Sequence, residues 1–144
     1  MTFYEEKQNL LTVPQGWFLA HCISADFSLG AGVAKQIDEA FGARHMLRTK
    51  YDQYSWDEWG PCCLLCGAVL NLVTKNKYWH KPTLSTLQDA LDDMKKVVQE
   101  EGITKIAMPR IGCGLDRLDW ADVKPMIESV FQDVDDLEIM VCVL

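Results

Sequence analysis

Apolar and polar positions alternate along the chain in blocks that predict strands and helices by turns. Phe3 and Tyr4, then Leu10 and Leu11, surround a polar patch and read as an opening strand with a turn at Lys7 to Asn9. Pro14-Gln15-Gly16 marks a second turn. Trp17 to Ile23 is continuous and mostly apolar, the pattern of a central strand covered on both faces, with His21 and Cys22 near its end. After a loop from Ser24, residues 31–41 place Val33, Ala34, Ile37, Ala40 and Phe41 on one helical face, and Gly42 suits the C-cap. Met46, Leu47, Tyr51 and Tyr54 have the spacing of one amphipathic helix, followed by a loop in which Trp56 and Trp59 flank Asp57 and Glu58. Gly60-Pro61 stops this segment. Leu64 to Val73 reads as a strand, or as two joined at Gly67, that delivers Thr74 and Lys75 to its end.

Pro82-Thr83 opens a long helix to about Glu101, with Leu84, Leu87, Leu91, Met94, Val97 and Val98 in one line, Thr83 as N-cap and Gly102 as stop. Ile103 to Met108 is a buried-strand run broken by Pro109. Residues 120–131 form another amphipathic helix, and Leu137 to Leu144 a closing strand. Strands alternating with helices predict an α/β fold, a mixed sheet between helical layers. At 144 residues the chain has the length of a single domain, residues 1–144, without internal repeats.

Two loops carry the chemistry. Gly30-Ala31-Gly32 lies between a strand and a helix, and Gly112-Cys113-Gly114 lies in the same setting before Asp116. Glycine loops opening helices let backbone amides approach a phosphate, and the helix start adds positive dipole without a lysine. Two such loops suggest one diphosphate held between them. Ligands in α/β sheets sit beyond the carboxyl ends of the strands, where Ser24, Gly30, Lys75, Gly112, Gly114 and Asp116 all fall.

Composition narrows the partners. Hydrophobic residues make up 49% and charged residues 24%, ordinary for a globular domain, and the net charge is −7. An acidic surface disfavours extended nucleic-acid binding, which relies on Lys and Arg neutralising phosphates. The polar stretch Met1 to Leu10 does not read as a leader, and the longest apolar run, Cys62 to Leu72, is interrupted by Gly67 and Asn71, so no membrane partner is expected. A cytoplasmic location follows by default, or a nuclear one in a eukaryote, with a monomer the simplest assembly. Of the six cysteines, Cys62, Cys63 and Cys66 contain a Cys-x-x-Cys spacing. With no second Cys/His pair at ligand distance, the spacing reads as part of a strand and no metal or cofactor is expected.

Leu19-Ala-His-Cys-Ile-Ser24, Gly30-Ala-Gly32, Val73-Thr-Lys75, His80-Lys-Pro-Thr83 and Met108-Pro-Arg-Ile-Gly-Cys-Gly-Leu-Asp-Arg-Leu118 together resemble the macrodomain superfamily. The chain is most similar to its terminal ADP-ribose protein glycohydrolase branch. The resemblance implies a three-layer α/β/α fold around a central mixed sheet, and ADP-ribose or an ADP-ribosylated macromolecule as partner. It implies hydrolysis of mono-ADP-ribose esters of Asp and Glu, and of O-acetyl-ADP-ribose, with Lys75 as nucleophile at the distal ribose and Asp116 as acid/base. It implies ligand contacts from Asn9, Leu10, Ser24, Gly30, Ala31, Gly32, Thr74, Arg110, Ile111, Gly112, Cys113, Gly114, Leu115 and Leu144. Where the family's first strand ends in Gly-Asp, with the aspartate taking a hydrogen bond from adenine, this chain has Gln8-Asn9, whose amide oxygen is able to accept but is neutral.

Other readings use the same residues. A lysine ending a strand is commonly a solvated charge, an aspartate before a helix commonly an N-cap, and Arg110 has carboxylates to pair with. Hydrolysis of ADP-ribose from nucleic-acid bases, an ADP-ribose 1″-phosphate phosphatase, and a non-catalytic ADP-ribose reader are the alternative functions.

Overall fold

In the computed structural model, which describes residues 1–144, six strands form one sheet in the order β1-β6-β5-β2-β4-β3. The strands are β1 Thr2–Lys7, β2 Phe18–Ser24, β3 Cys62–Cys66, β4 Val69–Lys75, β5 Lys105–Met108 and β6 Glu138–Val143. All neighbours pair parallel except β3 and β4, which form an antiparallel hairpin. The helices are α1 Gly32–Phe41, α2 Ala43–Lys50, α3 Trp56–Trp59, α4 Leu84–Glu101 and α5 Trp120–Phe131.

Strand side chains alternate faces, so each strand feeds two cores. In β2, Leu19 and Ile23 join Ile37 of α1 and Leu47 of α2, while Ala20 joins Leu87 and Leu91 of α4 and Ile127 of α5. Helices therefore cover both faces, giving the three-layer α/β/α arrangement expected from the sequence. The chain runs from β2 to β4 on one side, then returns through α4 to β5 on the other side of β2. Such a reversal opens a crevice beyond the carboxyl ends of the strands that flank it.

The elements follow the periodicity with local corrections. The opening strand ends at Lys7, and Leu10–Thr12 is a single 3-10 turn because Asn9 Oδ1 accepts from Leu11 N at 2.9 Å. The helix expected through Tyr54 stops at Lys50, since Tyr51 and Tyr54 turn inward instead: the Tyr51 hydroxyl donates to Leu65 O and the Tyr54 ring stacks on Phe27. The Trp56–Trp59 segment, expected as loop, is one helical turn. The apolar run from 64 to 73 is two strands, because Gly67 at φ +55° makes the hairpin turn. α4 begins as expected at a capping box of Thr83 and Thr86 and ends at Gly102, in the left-handed region at φ +64°.

One polar pair is sealed in the α1/α2 core. His21 and Asn71, adjacent in the β2–β4 register, are 1% and 0% exposed. His21 Nε2 lies 2.6 Å from Asn71 Oδ1, and Asn71 Nδ2 donates to Leu64 O at 3.0 Å. Because the amide nitrogen is used on Leu64, the histidine is the donor in the pair and its Nδ1 has no partner. Burial lowers the His21 pKa to about 4, against the opposing hydrogen bond it donates to Asn71, so the ring is neutral at physiological pH.

Candidate active site

The candidate site is built where β2 and β4 run out together. Ser24 pairs with Lys75 across a register irregularity, and Ala25 N donates to Lys75 O at 2.9 Å. The β4 backbone thereby sets where the lysine side chain emerges. Its Nζ donates to Asp116 Oδ1 at 2.6 Å, with the two side chains 14% and 13% exposed. An ammonium and a carboxylate in direct contact, largely screened from water, form a tight ion pair that is also a proton-transfer path.

The two glycine loops touch each other. Gly32, at φ +59°, starts α1, and Ala31 at the N-cap position offers no side-chain acceptor to the first-turn amides. Helix-start amides without a side-chain acceptor are of the kind that bind anions. A Cβ on Gly32 would lie 3.1 Å from Leu115 Cδ1, so the first loop already touches the second. Gly112 is left-handed at φ +73°, and a Cβ there would sit 3.0 Å from Leu118 Cδ1. The bond from Leu118 N to Gly112 O, 2.8 Å, fixes the bend that carries Asp116 round to Lys75. Gly114 has open space around it.

Asp26 organises the first loop, a residue that sequence reasoning missed. Its Oδ1 accepts from Ser24 Oγ at 2.5 Å and Ser28 N at 3.2 Å, and its Oδ2 accepts from Tyr78 N at 3.0 Å. These bonds hold the Asp26 carboxyl below its ordinary pKa, against the opposing effect of burial, which is the largest single influence. Phe27 and Leu29 are non-glycine residues at positive φ, +53° and +44°, with their side chains buried. The carboxylate and the apolar burial together hold this unfavourable backbone in place. The local signal was an Asp two residues before Ser28, the spacing of an Asx turn.

The other expected contacts divide by burial. Ser24, Leu10, Thr74 and Ile111 are buried, so Leu10 and Ile111 can face a ligand only through their backbone; Thr74 Oγ1 has no partner. Leu115 and Leu144 are exposed. Asn9, expected at the adenine, already spends an Oδ1 lone pair on Leu11 N. Arg110, expected on the ligand, instead holds Glu5 of β1 through two bonds of 3.1 Å and lies 5.8 Å over the Trp120 ring. Cys113 donates its thiol to Ile111 O, and burial raises its pKa, which disqualifies it as a thiolate nucleophile. Burial also raises Cys22 to about 12. Cys63 and Cys66 of the Cys-x-x-Cys spacing point into opposite cores, as residues three apart on a strand must, so they do not converge on a metal. Two cavities, of about 620 and 450 Å³, lie elsewhere, one beside β3 and α4 and one by the β3–β4 turn.

The Macro domain family model matches residues 20–127, which contain most of β2, the first glycine loop, Lys75 and Asp116. The chain is 39% identical over 132 residues to the ADP-ribose glycohydrolase OARD1 of Homo sapiens, covering 90% of this chain and 84% of that protein. It is 34% identical over 74 residues to a DNA ADP-ribosyl glycohydrolase of Mycobacterium tuberculosis, 51% of this chain and 21% of that one. Among solved structures, the macrodomain of Thermus aquaticus DarG superposes with a TM-score of 0.82 over 99% of both chains at 22% identity, a likeness of fold.

Proposed function

Because this chain belongs to the Macro domain family, we propose that it is a hydrolase that removes mono-ADP-ribose from Asp and Glu esters, with Lys75 and Asp116 as its reacting groups. The observation that carries the reading is the 2.6 Å contact between Lys75 Nζ and Asp116 Oδ1, in a chain whose two glycine loops touch. The loops bind the diphosphate through backbone amides, which places the distal ribose at the strand ends.

The ester is an acyloxy acetal at the ribose C1″. Lysine attacks only as the free amine, so Asp116 takes its proton first. Nζ then bonds to C1″ while the bond from C1″ to the ester oxygen breaks, and the electron pair leaves with the carboxylate of the target. Ring opening gives a Schiff-base-type adduct. Water, activated by the same aspartate, releases ADP-ribose and returns the lysine. O-acetyl-ADP-ribose carries a similar ester and is a second candidate substrate of the same site. The small exposure of both groups keeps bulk water from competing before the adduct forms.

The test is release of ADP-ribose from a glutamate-ADP-ribosylated substrate. Lys75→Ala is expected to lose turnover by at least 10²-fold, as is Asp116→Asn, while calorimetry shows both still binding free ADP-ribose. Equal release by wild type and Lys75→Ala would end the lysine mechanism.

A further inference from the structure

Asp116 sits in a bend, residues 112–118, that turns left-handed at both ends. Gly112 at φ +73° adopts that conformation freely, whereas Arg117 at φ +63° carries a side chain that disfavours it. A backbone of this kind persists only where other bonds hold it. Inside the bend, Arg117 N donates to Gly114 O at 3.1 Å and Leu118 N to Gly112 O at 2.8 Å. Only two hydrogen bonds tie residues 113–117 to parts of the chain outside residues 110–118. One is Lys75 Nζ to Asp116 Oδ1, and the other is Lys81 Nζ to Leu115 O, both at 2.6 Å. The Leu115 side chain is 62% exposed, so its own packing holds the bend only weakly.

Lys81 comes from the loop between β4 and α4, residues 76–83, which is braced on either side of it. Tyr78 N donates to Asp26 Oδ2 at 3.0 Å and Lys77 N to His80 Nδ1 at 3.2 Å, while Pro82 is buried and Thr83 caps α4. The two ties on the bend are not equivalent during turnover. In the mechanism proposed above, Lys75 hands its proton to Asp116 and bonds to C1″. The first tie is therefore broken at the stage when the Asp116 carboxyl has to stay in place to act on water. From then on Lys81 supplies the one hydrogen bond that reaches the bend from elsewhere in the fold. We infer that Lys81 is a positioning residue: through the Leu115 carbonyl, one residue before Asp116, it keeps that carboxyl in register while Lys75 is bonded to the ribose. The inference rests on the hydrolase reading and adds to it a residue which that reading leaves idle. The cost of losing Lys81 falls on kcat, because both ties are still in place when ADP-ribose binds.

The experiment measures kcat and KM separately on a glutamate-ADP-ribosylated peptide. Lys81→Ala, and Lys81→Met, which keeps the stem without a donor, are expected to lower kcat roughly 10- to 100-fold with KM within about two-fold. Lys81→Arg, which restores a donor, should recover most of the loss. Lys77→Ala removes an exposed lysine of the same loop whose side chain makes no hydrogen bond, and it should match wild type, which separates the bond from the charge. Affinity for free ADP-ribose should not move in Lys81→Ala. A raised KM with kcat unchanged would overturn the inference by making Lys81 a ligand contact. An unaffected kcat, or a loss that Lys81→Arg does not recover, would overturn it too. In each case inactivity of Lys75→Ala would leave the hydrolase reading standing. Hydrogen exchange at the Cys113 and Arg117 amides gives a readout that needs no turnover. It should rise far more in Lys75→Ala/Lys81→Ala than in either single variant, and equal exchange in all three would also overturn the inference. Equal release by wild type and Lys75→Ala would remove the lysine mechanism and this inference with it.

Discussion

Acid should destabilise this protein through one buried histidine, with a slope that can be calculated in advance. His21 is 1% exposed, and burial lowers its pKa to about 4 from an ordinary 6.5. Between those two values acid protonates the ring in the unfolded chain but not in the folded one. The folded state therefore has its full stability above pH 6.5 and loses it as the pH falls toward 4. At 1.36 kcal/mol per pH unit, the whole span corresponds to about 3.4 kcal/mol, and about 2 kcal/mol is gone by pH 5. Against the ~5–15 kcal/mol that holds a typical domain, such a loss is large. The measurement is urea unfolding at pH 7.5, 6.5, 5.5 and 5.0, comparing wild type with His21→Leu/Asn71→Leu. The double variant removes the titrating ring without leaving Asn71 Oδ1 unpaired in the core, 2.6 Å from where Nε2 was. Carboxylates such as Asp26 titrate alike in both proteins, so the difference isolates the histidine. Parallel curves across that range would refute the reasoning, because they would mean that His21 takes up its proton equally in the folded and unfolded chain.

Gly112→Ala should cost about 1–3 kcal/mol of stability, because φ +73° disfavours any side chain and the new Cβ meets Leu118 at 3.0 Å. Gly114→Ala, with nothing within 4 Å, should stay within about 0.5 kcal/mol of wild type, and thermal melts of the two will tell them apart. Arg110→Ala should leave the Kd for ADP-ribose unchanged by calorimetry, since its guanidinium is committed to Glu5; a ten-fold weakening would show that it reaches the ligand.

Legibility in the sequence followed the range of the interaction involved. The α4 helix was readable from start to stop because its apolar line, the Thr83 cap and the Gly102 stop all act within a few residues. The two glycine loops were readable for the same reason, a positive φ being a demand made by local backbone sterics. Segment 43–59 was misread because Tyr51 and Tyr54 have helical spacing, but the hydroxyl partners that pull them out of the helix are Leu65 and Gly60. Asp26 was missed because its two local acceptor bonds, from Ser24 and Ser28, look like those of any Asx turn; what gives it weight is the third, from Tyr78, 52 residues away.

By itself, then, the chain determined its period-2 and period-3.6 segments, their caps, the two glycine bends, and the residue types present at the strand ends. Tertiary structure decided that β2 lies between β4 and β5, that Arg110 reaches back 105 residues to Glu5, and that Lys75 and Asp116, 41 residues apart, end within a hydrogen bond. The division has one cause. Backbone sterics and side-chain periodicity act over a turn or two, whereas the pairing of distant charges depends on which strands become neighbours, and the burial of both sheet faces at once settles that.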